Sequence, residues 1–522
     1  MSAFFNNIDE AGLYAFFTSS VPTPTLELPS EAQENALAEV EAEIERLEKS
    51  PLASLDDAKA AEAKLMAHLS FEELNGTKLE NLANSKQPAS SNANNTIVEG
   101  KVGNAIRLTG DDAVNLPKGV GDFTRDESFS IALWIKTPDE KERAVVVRRS
   151  KAWTDAASRG YEVLIEDGYL SAALIHFWPG NAIRVQTKER LPVNAWTHVV
   201  VTYDGSSQAA GLRFHVNGSQ ADTEVVRDNL TREITGGGDP FVGLGQRMRD
   251  KGFKNGLVDE FRVYSGQLST AEIWELAGVQ LSSTAVEVVP PYSPSLKKAR
   301  EKRSQIAKSI PEIMVMREMP GNRPTFILER GEYSNRGEPV EANTPVVLPE
   351  MEQSLPRNRL GLAKWLTDPN HPLTARVTVN RYWQMMFGRG LVSTSEDFGS
   401  QGKPPSHPDL LDWLARDFIA HDWNLHHLLK QMVLSATYRQ ESLVSPENSE
   451  KDPENLLLAR SPSDRLPAEM IRDNALAVSG LLSATMGGPS VKPYDLEVSF
   501  KPIKPDKGES LYRRSVYTFW KR

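Results

Sequence analysis

Hydrophobic residues recur every three or four positions near the start of the chain. Between Ser30 and Pro51 the apolar positions are Leu37, Val40, Ile44 and Leu47. This spacing predicts a helix with one apolar seam, which Pro51 ends. The other faces of this helix are strongly acidic, and a second helical piece is expected from Asp56 to His68. Residues 30–68 are therefore predicted to form an acidic helical segment.

The pattern changes at residue 69 to short β-branched runs separated by Gly, Asn and Asp turns. Examples are residues 129–135, 161–165, 196–203 and 256–264. Turn pairs such as Asp204-Gly205 and Asn217-Gly218 suit antiparallel hairpins. Residues 69–280 are therefore predicted to form an all-β sandwich of the jelly-roll type.

A second helical seam follows the sandwich, within a segment of linker and basic helix at residues 281–310. Its apolar positions are Leu296, Ala299, Ile306 and Ile310, and many of its other positions are Lys or Arg. Two single-seam helices of opposite charge can bury their seams against each other as an antiparallel pair. We therefore expect this helix to pair with residues 30–50, so that the sandwich is inserted between two helices. Two independent, solvated linker helices are the alternative.

Residues 311–522 have the pattern of a mainly α-helical domain. One helix is predicted over residues 425–437 and another from Pro467 to Gly480. The predicted fold is thus multidomain, with a jelly-roll sandwich inserted between helices and followed by a mainly α C-terminal domain. Residues 1–29 are too rich in aromatic side chains for a free tail, so they are expected to pack on another part of the protein.

Composition excludes several classes of function. The 522 residues include no cysteine, which excludes disulfides, thiolate nucleophiles and covalent haem attachment within this chain. A net charge of −10 argues against a nucleic-acid partner, because affinity for phosphate backbones needs a concentrated basic surface. No apolar run is long enough to span a membrane, and no signal peptide is visible. The motifs of serine hydrolases, zinc proteases, nucleotide-binding loops and EF-hands are absent.

The sandwich region carries a family resemblance. Its motifs include Ser130-Ile-Ala-Leu-Trp134, Trp196-Thr-His-Val199, Tyr203-Asp-Gly205, Val216-Asn-Gly218 and Leu257-Val-Asp-Glu-Phe-Arg-Val263. Together and in this order they resemble the laminin-G-like, concanavalin-A-like jelly roll. The resemblance implies a domain that binds carbohydrate or a protein partner.

The C-terminal region resembles a second family. Its motifs include Asn358-Arg-Leu-Gly-Leu-Ala363, Ser395-Glu-Asp-Phe-Gly399 and Ala436-Thr-Tyr-Arg439, which resemble the C-terminal domain of unknown function in large planctomycete proteins. Residues 1–29 are similar to the end of the planctomycete-specific domain that precedes it. The resemblance implies an exported, extracytoplasmic protein whose c-type haem module lies outside this chain. It also implies that the chain is a fragment.

Two tryptophans are the candidate ligand-binding residues of the sandwich. Trp153 and Trp178 lie in predicted loops, where aromatic rings can stack on the apolar faces of sugars. Folding back over the sandwich as a lid is the alternative for both.

Asp259 is a candidate ligand for a structural calcium ion. Relatives of this fold hold an ion near the closing strand, and Ca²⁺ selects carboxylate and carbonyl oxygens. A surface-exposed strand carboxylate is the alternative. No other cofactor is expected in this chain.

A polar set in the C-terminal region is the candidate for catalysis. It comprises His371, Arg376, Asn380, Glu396, Asp397 and His407. These side chains could supply an anion-binding pair together with acid and base groups, or they could form a structural ion-pair network. His421, His426 and His427 are not spaced by three or four residues as a set, which disfavours a metal site.

The sequence therefore favours a binding or adhesion protein whose sandwich recognises carbohydrate or a protein partner. The alternative is an enzyme that acts on polysaccharide or another polymer through the polar set. A catalytic site needs several of these side chains to converge in an open cleft, whereas a scaffold pairs them separately. A third option, a redox partner, rests only on the haem module of the resembled family.

Overall fold

The chain divides into two compact units in a computed structural model. The structure describes residues 1–9, 13, 18, 20–49, 63–92, 94–154, 157–238, 241–279, 294–319, 321, 323–495 and 504–519. One unit comprises Asn7–Arg323, and the other comprises Met1–Asn6 with Pro324–Arg522. Residues 56–62 of the predicted second helix and residues 281–293 of the predicted linker lie outside the described residues. Within the described part of the chain, no helix is long and apolar enough to cross a membrane.

The unit Asn7–Arg323 is mainly β-structure. Its strands are β1 (Thr25–Glu27), β2 (Lys64–Leu69), β3 (Leu74–Asn75), β4 (Lys78–Leu79), β5 (Ala89–Ser91), β6 (Thr96–Glu99), β7 (Asn104–Arg107), β8 (Val114–Asn115), β9 (Phe129–Lys136), β10 (Arg143–Arg149), β11 (Gly160–Glu166), β12 (Tyr169–Phe177), β13 (Asn181–Arg190), β14 (Thr197–Tyr203), β15 (Leu212–Val216), β16 (Ser219–Gln220), β17 (Thr223–Asn229), β18 (Gly243–Leu244), β19 (Leu257–Ser265) and β20 (Glu312–Met314). The α-helices among the described residues of this unit are α1 (Glu31–Glu48), α2 (Thr270–Ala277) and α3 (Pro294–Ser309).

Two antiparallel sheets form the predicted jelly-roll sandwich. The described strands of the first sheet follow the order β17-β13-β12-β11-β10-β18-β8-β5-β4-β3. Those of the second follow the order β16-β15-β14-β9-β19-β7-β6, with β2 also paired to β19. Alternate residues of both sheets enter one apolar core, which includes Ile131 and Val199 from the second sheet and Val163 and Ile183 from the first. The all-β prediction for this region is confirmed.

Residues 64–68 differ from the sequence prediction, which placed them in a helical segment. They form β2, whose buried positions Ala67 and Leu69 lie two residues apart, as one face of a strand requires. The strand pairs with β19 along Phe261–Ser265. An edge available on the closing strand thus overrides the local helical preference of this Ala- and Lys-rich segment.

The two helices that flank the sandwich pack against each other. Ile44 and Leu47 of α1 contact Leu296 and Ala299 of α3 in one buried cluster. At one end Gln33 Nε2 donates to Ser309 Oγ at 2.9 Å, and at the other Arg300 Nη2 pairs with Glu48 Oε1 at 2.7 Å. Because the start of α1 lies beside the end of α3, the pair is antiparallel, and it joins an acidic helix to a basic one. A short sheet of β1 and β20 brings together the chain segments just before α1 and just after α3.

The second unit is mainly helical. Its helices are α4 (Arg359–Leu366), α5 (Thr374–Phe387), α6 (Pro408–Ala420), α7 (Leu425–Leu434), α8 (Ala436–Arg439), α9 (Pro446–Lys451) and α10 (Ala468–Val478), and its strands are β21 (Thr325–Leu328) and β22 (Arg336–Val340). Its larger core joins α5, α6 and α7 through residues such as Val379, Trp383, Leu414, Phe418 and Leu428. The mainly α prediction for this region is also confirmed.

Candidate ligand-binding site

One face of the first sheet carries a closed ring of alternating charges. In order of contact its members are Arg143, Glu166, Arg184, Glu162, Arg247 and Asp250. Typical distances are 2.9 Å for Arg184 Nη1 to Glu166 Oε2 and 2.7 Å for Arg143 Nε to Asp250 Oδ1. This face points away from the core. Val163 and Val185, which follow Glu162 and Arg184 in the sequence and so point to the opposite side of the sheet, lie in the core.

The charge ring is internally satisfied. The side chains of Glu162 and Arg247 are fully buried, so each depends on its ionic partners to offset the cost of leaving water. Burial would raise the pKa of Asp250, but the hydrogen bonds and charges of Arg143 and Arg247 outweigh burial and lower it. With three cations and three anions, the ring offers no net charge to a ligand and acts as structural support.

Trp153 and Trp178 lie over this charge ring. The indole of Trp153 stacks on the guanidinium of Arg143, whose carbon lies 4.1 Å from the ring centroid. The indole of Trp178 stacks on Arg184 at 3.9 Å. Both side chains are half-buried, so each ring is held by an arginine and keeps part of its surface in solvent. Both tryptophans therefore fold back over the sandwich, which was the alternative to a ligand-binding role. That role stays a prediction for the two residues.

A groove of about 300 Å³ opens on the second sheet. Its floor is one row across three strands, since Leu257 of β19 pairs with Arg107 of β7 on one side and with Lys136 of β9 on the other. This row faces away from the core, because the next residues, Ile106, Ile135 and Val258, are buried inside it. Pro138, Asn194 and Asn255 complete the lining.

Asparagine turns close the ends of the groove. Asn194 and Asn255 both adopt left-handed backbone conformations, with φ of 58°, which asparagine tolerates better than most residues. Their backbone N–H groups bond to Thr137 O and Leu108 O, each at 2.8 Å. The turns are therefore fixed by the backbone, and both carboxamide side chains remain exposed beside the groove.

The two cations of the groove have no anionic partner. Neither Arg107 nor Lys136 forms a side-chain hydrogen bond or ion pair with any residue that the structure describes. The nearby acidic residues Asp139 and Glu140 are already paired with Lys141 and Arg190. The groove thus presents two free positive charges and two amides, a combination that suits an anionic, hydroxyl-rich ligand. Asparagine at two turns is the one signal of this groove that can be read from the sequence, because the row of Arg107 and Lys136 depends on strand register.

Asp259 lies on the same strand as the groove floor. It is fully buried, so the alternative of an exposed strand carboxylate is wrong for this residue. Its Oδ2 accepts the backbone N–H groups of Lys101 at 2.8 Å and Val102 at 2.9 Å, whereas its buried Oδ1 has no hydrogen-bond partner. Burial raises its pKa against the effect of those two N–H donors. Among the described residues, Asp259 belongs to no group of three histidine or acidic side chains that could share an ion, so a calcium ion would take most of its ligands from backbone carbonyls and water.

Four residues of the predicted polar set have structural partners of their own. Arg376 Nε pairs with Asp412 Oδ1 at 2.6 Å, and Arg376 Nη1 donates to Pro372 O. Asn380 is fully buried. Its side-chain Nδ2 donates to Val392 O, and its side-chain Oδ1 accepts the backbone N–H of Val392. His371 Nδ1 accepts the backbone N–H of Thr374 at 3.2 Å. Asp397 Oδ1 accepts the N–H of Gly399 at 2.7 Å.

Of the remaining two residues, Glu396 is exposed and His407 is half-buried. The Glu396 side chain is 90% exposed, and its Oε2 lies 3.7 Å from Arg381 Nη2. His407 Nδ1 forms a hydrogen bond with Ser406 Oγ at 3.0 Å. Among the described residues, no hydrogen bond or ion pair links any two members of the predicted set. These six residues were grouped by their chemistry. In the structure they lie in separate places: His371 and Asp397 accept backbone N–H groups, Asn380 bonds to the backbone of Val392, and Arg376 and Glu396 lie beside different charged partners.

His371 also lines a small pocket of about 170 Å³. Trp365 contacts the imidazole edge-on at 4.6 Å, and Glu350, Glu352 and Asp368 share the pocket. Burial lowers the pKa of His371, although Asp368 opposes the change. Its Nε2 is buried and has no hydrogen-bond partner.

Solved structures resemble the chain over part of its length. The binding domain of Paraclostridial Mosquitocidal Protein 1 is 17% identical, with 41% of this chain and 51% of that chain covered and a TM-score of 0.33. Domain 4 of AbnA, an extracellular GH43 arabinanase from Geobacillus stearothermophilus solved with arabinotriose, is 22% identical, with 41% and 99% covered and a TM-score of 0.30. A botulinum neurotoxin type C structure, from work on its interaction with two ganglioside molecules, is 14% identical, with 42% and 52% covered and a TM-score of 0.32. The chain spans about half the length of the two toxin chains.

Two family models match separate parts of the chain. Residues 108–274 match the concanavalin A-like lectin/glucanases superfamily, and residues 358–522 match a protein family of unknown function, DUF1553. A comparison with curated proteins gives no match. The chain therefore contains a concanavalin-A-like domain, which is the sandwich, and a DUF1553 domain, which lies in the helical unit.

Proposed function

We propose that the sandwich binds carbohydrate and that its ligand carries negative charge, as uronic acids and sulfated sugars do. The observation that carries this proposal is the pair of unpartnered cations, Arg107 and Lys136, in a groove of about 300 Å³ on the second sheet. A carboxylate or sulfate can pair with the two cations, and sugar hydroxyls can bond to the amides of Asn194 and Asn255. The family description of residues 108–274, which names lectins and glucanases, supports carbohydrate as the class of ligand.

The groove favours binding over hydrolysis. Glycoside hydrolysis normally uses two carboxyl groups on opposite sides of the scissile bond. The residues that line the groove include no acidic side chain. Its open form on a sheet surface also suits a long polymer that passes over the protein.

A glycan array tests the class of ligand. The full chain is applied to acidic and neutral oligosaccharides, with the double variant Arg107→Ala/Lys136→Ala alongside. We expect wild-type signal on uronate or sulfated glycans and its loss in the double variant. Signal restricted to neutral glycans, or acidic signal that survives the double variant, would overturn the proposal.

The two tryptophans define the competing site for a neutral sugar. Trp153 and Trp178 keep part of their rings in solvent above the charge ring, and a pyranose could stack there. The same array with Trp153→Ala and Trp178→Ala separates the two sites. Neutral-glycan binding that these variants abolish would place the ligand over the tryptophans.

Further proposals rest on the family resemblance. These proposals are an extracytoplasmic location, a planctomycete-type full-length protein with a c-type haem module, and a protein ligand for the sandwich.

Calcium at Asp259 is also a proposal, and the free Oδ1 of that carboxylate supports it. Its test is the melting temperature in excess Ca²⁺ and in chelator. Wild-type protein should melt at a higher temperature in Ca²⁺ than in chelator, and Asp259→Asn should melt at the same temperature in both. Equal melting temperatures of the wild type in the two conditions would contradict a calcium site.

A second candidate function is an enzyme of the helical unit. The observation that favours it is the pocket beside His371, where a buried imidazole nitrogen without a partner shares a cavity with three acidic residues. Release of reducing sugar from polysaccharides by the wild-type chain, and its loss in His371→Gln, would support this candidate. Wild-type protein without such activity, or equal activity in the variant, would count against it.

A further inference from the structure

The corner between α6 and α7 brings two histidines and an aspartate together. Asp417 Oδ2 lies 2.9 Å from His427 Nε2, and Asp417 Oδ1 lies 3.3 Å from His421 Nδ1. The two imidazole rings stack with centroids 3.8 Å apart and 17° between their planes. We propose that Asp417, His421 and His427 bind a divalent first-row transition-metal ion, with Zn²⁺ as the ion of reference.

The donor atoms are close enough for one ion. All three donor atoms lie within 4.8 Å of one another. Among the described residues, no other group of three histidine or acidic side chains brings its donor atoms this close together. Zn²⁺ takes imidazole nitrogen and carboxylate oxygen at about 2.0–2.2 Å, so tetrahedral ligand atoms lie about 3.3 Å apart. The distances from Asp417 to the two imidazole nitrogens, 2.9 Å and 3.3 Å, are close to that spacing. Because the ring planes are only 17° apart, the imidazoles must turn about their side-chain bonds before both nitrogen lone pairs converge on one ion.

The backbone fixes these three residues independently of any ion. Asp417 and His421 are four residues apart, on the last turn of α6 and at its end, so they share one face. The connecting turn holds Asp422 and Trp423 in left-handed conformations, and Trp423 packs edge-on against Phe418 at 5.3 Å. Asn424 caps α7 by accepting the N–H of His427. The site is thus carried by a rigid helical corner, as a specific metal site requires.

The type of donor selects the ion. Two imidazoles and one carboxylate suit Zn²⁺, Fe²⁺, Co²⁺, Ni²⁺ or Cu²⁺, whereas Ca²⁺ and Mg²⁺ prefer oxygen ligands throughout. Three protein ligands leave at least one coordination position for water or another molecule. The His421 side chain is 48% exposed, so solvent reaches the cluster from the side of this residue.

Without an ion, the same three residues form a hydrogen-bonded cluster, in which His427 Nε2 bonds to Asp417 Oδ2 at 2.9 Å and His421 Nδ1 bonds to the backbone oxygen of Asp417 at 2.9 Å. The two descriptions predict different results in a metal-binding measurement. Exposed His426 supplies a matched control, because it lies beside His427 on α7 and outside the cluster.

Equilibrium dialysis of the untagged full chain against Zn²⁺, with metal content measured by mass spectrometry, tests the proposal. We expect one tightly bound Zn²⁺ per chain. Loss of a ligand should weaken binding at least about 10-fold in His421→Ala, His427→Ala and Asp417→Asn, since loss of an outer-shell partner alone costs about that much. His426→Ala should bind as the wild type does.

Co²⁺ provides a second readout, because its visible absorption bands report nitrogen and oxygen ligands and should disappear in His427→Ala. Circular dichroism and intrinsic tryptophan fluorescence establish that each variant is folded. Absence of stoichiometric Zn²⁺ binding by the wild type would overturn the proposal. Equal weakening in His426→Ala, or full binding by folded His421→Ala and His427→Ala, would do so as well.

Discussion

At the scale of the residue, we expect the stability of the sandwich to depend on Glu162. This fully buried carboxylate binds both Arg184 and Arg247, so its removal leaves two buried cations without their shared partner. Breaking a buried ion pair from one side typically costs about 3–5 kcal/mol. We expect Glu162→Gln to lower the free energy of unfolding of the sandwich by about that amount, measured by urea denaturation.

The matched control for this substitution is Glu142→Gln, because Glu142 forms an exposed ion pair with Lys251. Exposed pairs contribute little, so this variant should unfold like the wild type. If Glu162→Gln also unfolds like the wild type, the charge ring does not stabilise the sandwich.

A buried histidine predicts sensitivity to acid. His198 packs against Trp134 with ring centroids 5.0 Å apart, and neither of its nitrogens has a hydrogen-bond partner. Burial and the charge of Arg262 lower its pKa to about 4. An unfolded chain takes up this proton near pH 6.5, so stability should fall as the pH drops from about 6.5 to about 4.

The variant His198→Phe keeps an aromatic ring and removes the titration. The loss of unfolding free energy between pH 7 and pH 4.5 should be smaller in this variant than in the wild type. Buried His176 and His215 also have lowered pKa values, of about 3 and about 4, so part of the acid effect should remain. An unchanged pH dependence would show that His198 does not contribute.

At the scale of the element, the helix pair of α1 and α3 gives a direct test. Gln33 and Ser309 touch across the pair at 2.9 Å, and the chain has no cysteine of its own. The double variant Gln33→Cys/Ser309→Cys should therefore cross-link rapidly with a short bismaleimide, as seen by peptide mass spectrometry. Cysteines at Gln33 and Lys297 should not, because Lys297 lies near the other end of α3. Equal yields would exclude the antiparallel arrangement.

The same elements show how much local pattern can predict. The apolar seams of α1 and α3 predicted two helices because each seam is a periodic feature of a short segment. The strand β2 was missed, because its structure depends on a hydrogen-bonding edge supplied by β19, almost two hundred residues later. Trp153 and Trp178 were correctly placed in loops, but the arginines beneath them come from different strands.

At the scale of the whole molecule, the sequence predicted the fold classes and missed the assembled sites. The family motifs and the alternation of apolar residues identify the sandwich without any distant contact. The groove needs Arg107, Lys136 and Leu257 in one register across three strands, and no local pattern specifies that register. The cluster of Asp417, His421 and His427 was missed because histidines were compared only with one another, whereas the shared carboxylate joins them.

Ligand binding in the groove should depend on salt, because the groove is positively charged. Attraction between the two cations and an anionic sugar is screened by ions, so affinity should fall as ionic strength rises. Isothermal titration of the full chain with an acidic oligosaccharide identified on the array measures Kd directly.

The decisive comparison is between the wild type and Arg107→Ala/Lys136→Ala, with Trp153→Ala/Trp178→Ala as the control pair. Loss of both cations should raise Kd at least about 10-fold, which corresponds to about 1.4 kcal/mol of binding free energy. The tryptophan variant should keep the wild-type Kd. An unchanged Kd in the folded cation variant would contradict the account, because the ligand would then bind elsewhere on the protein.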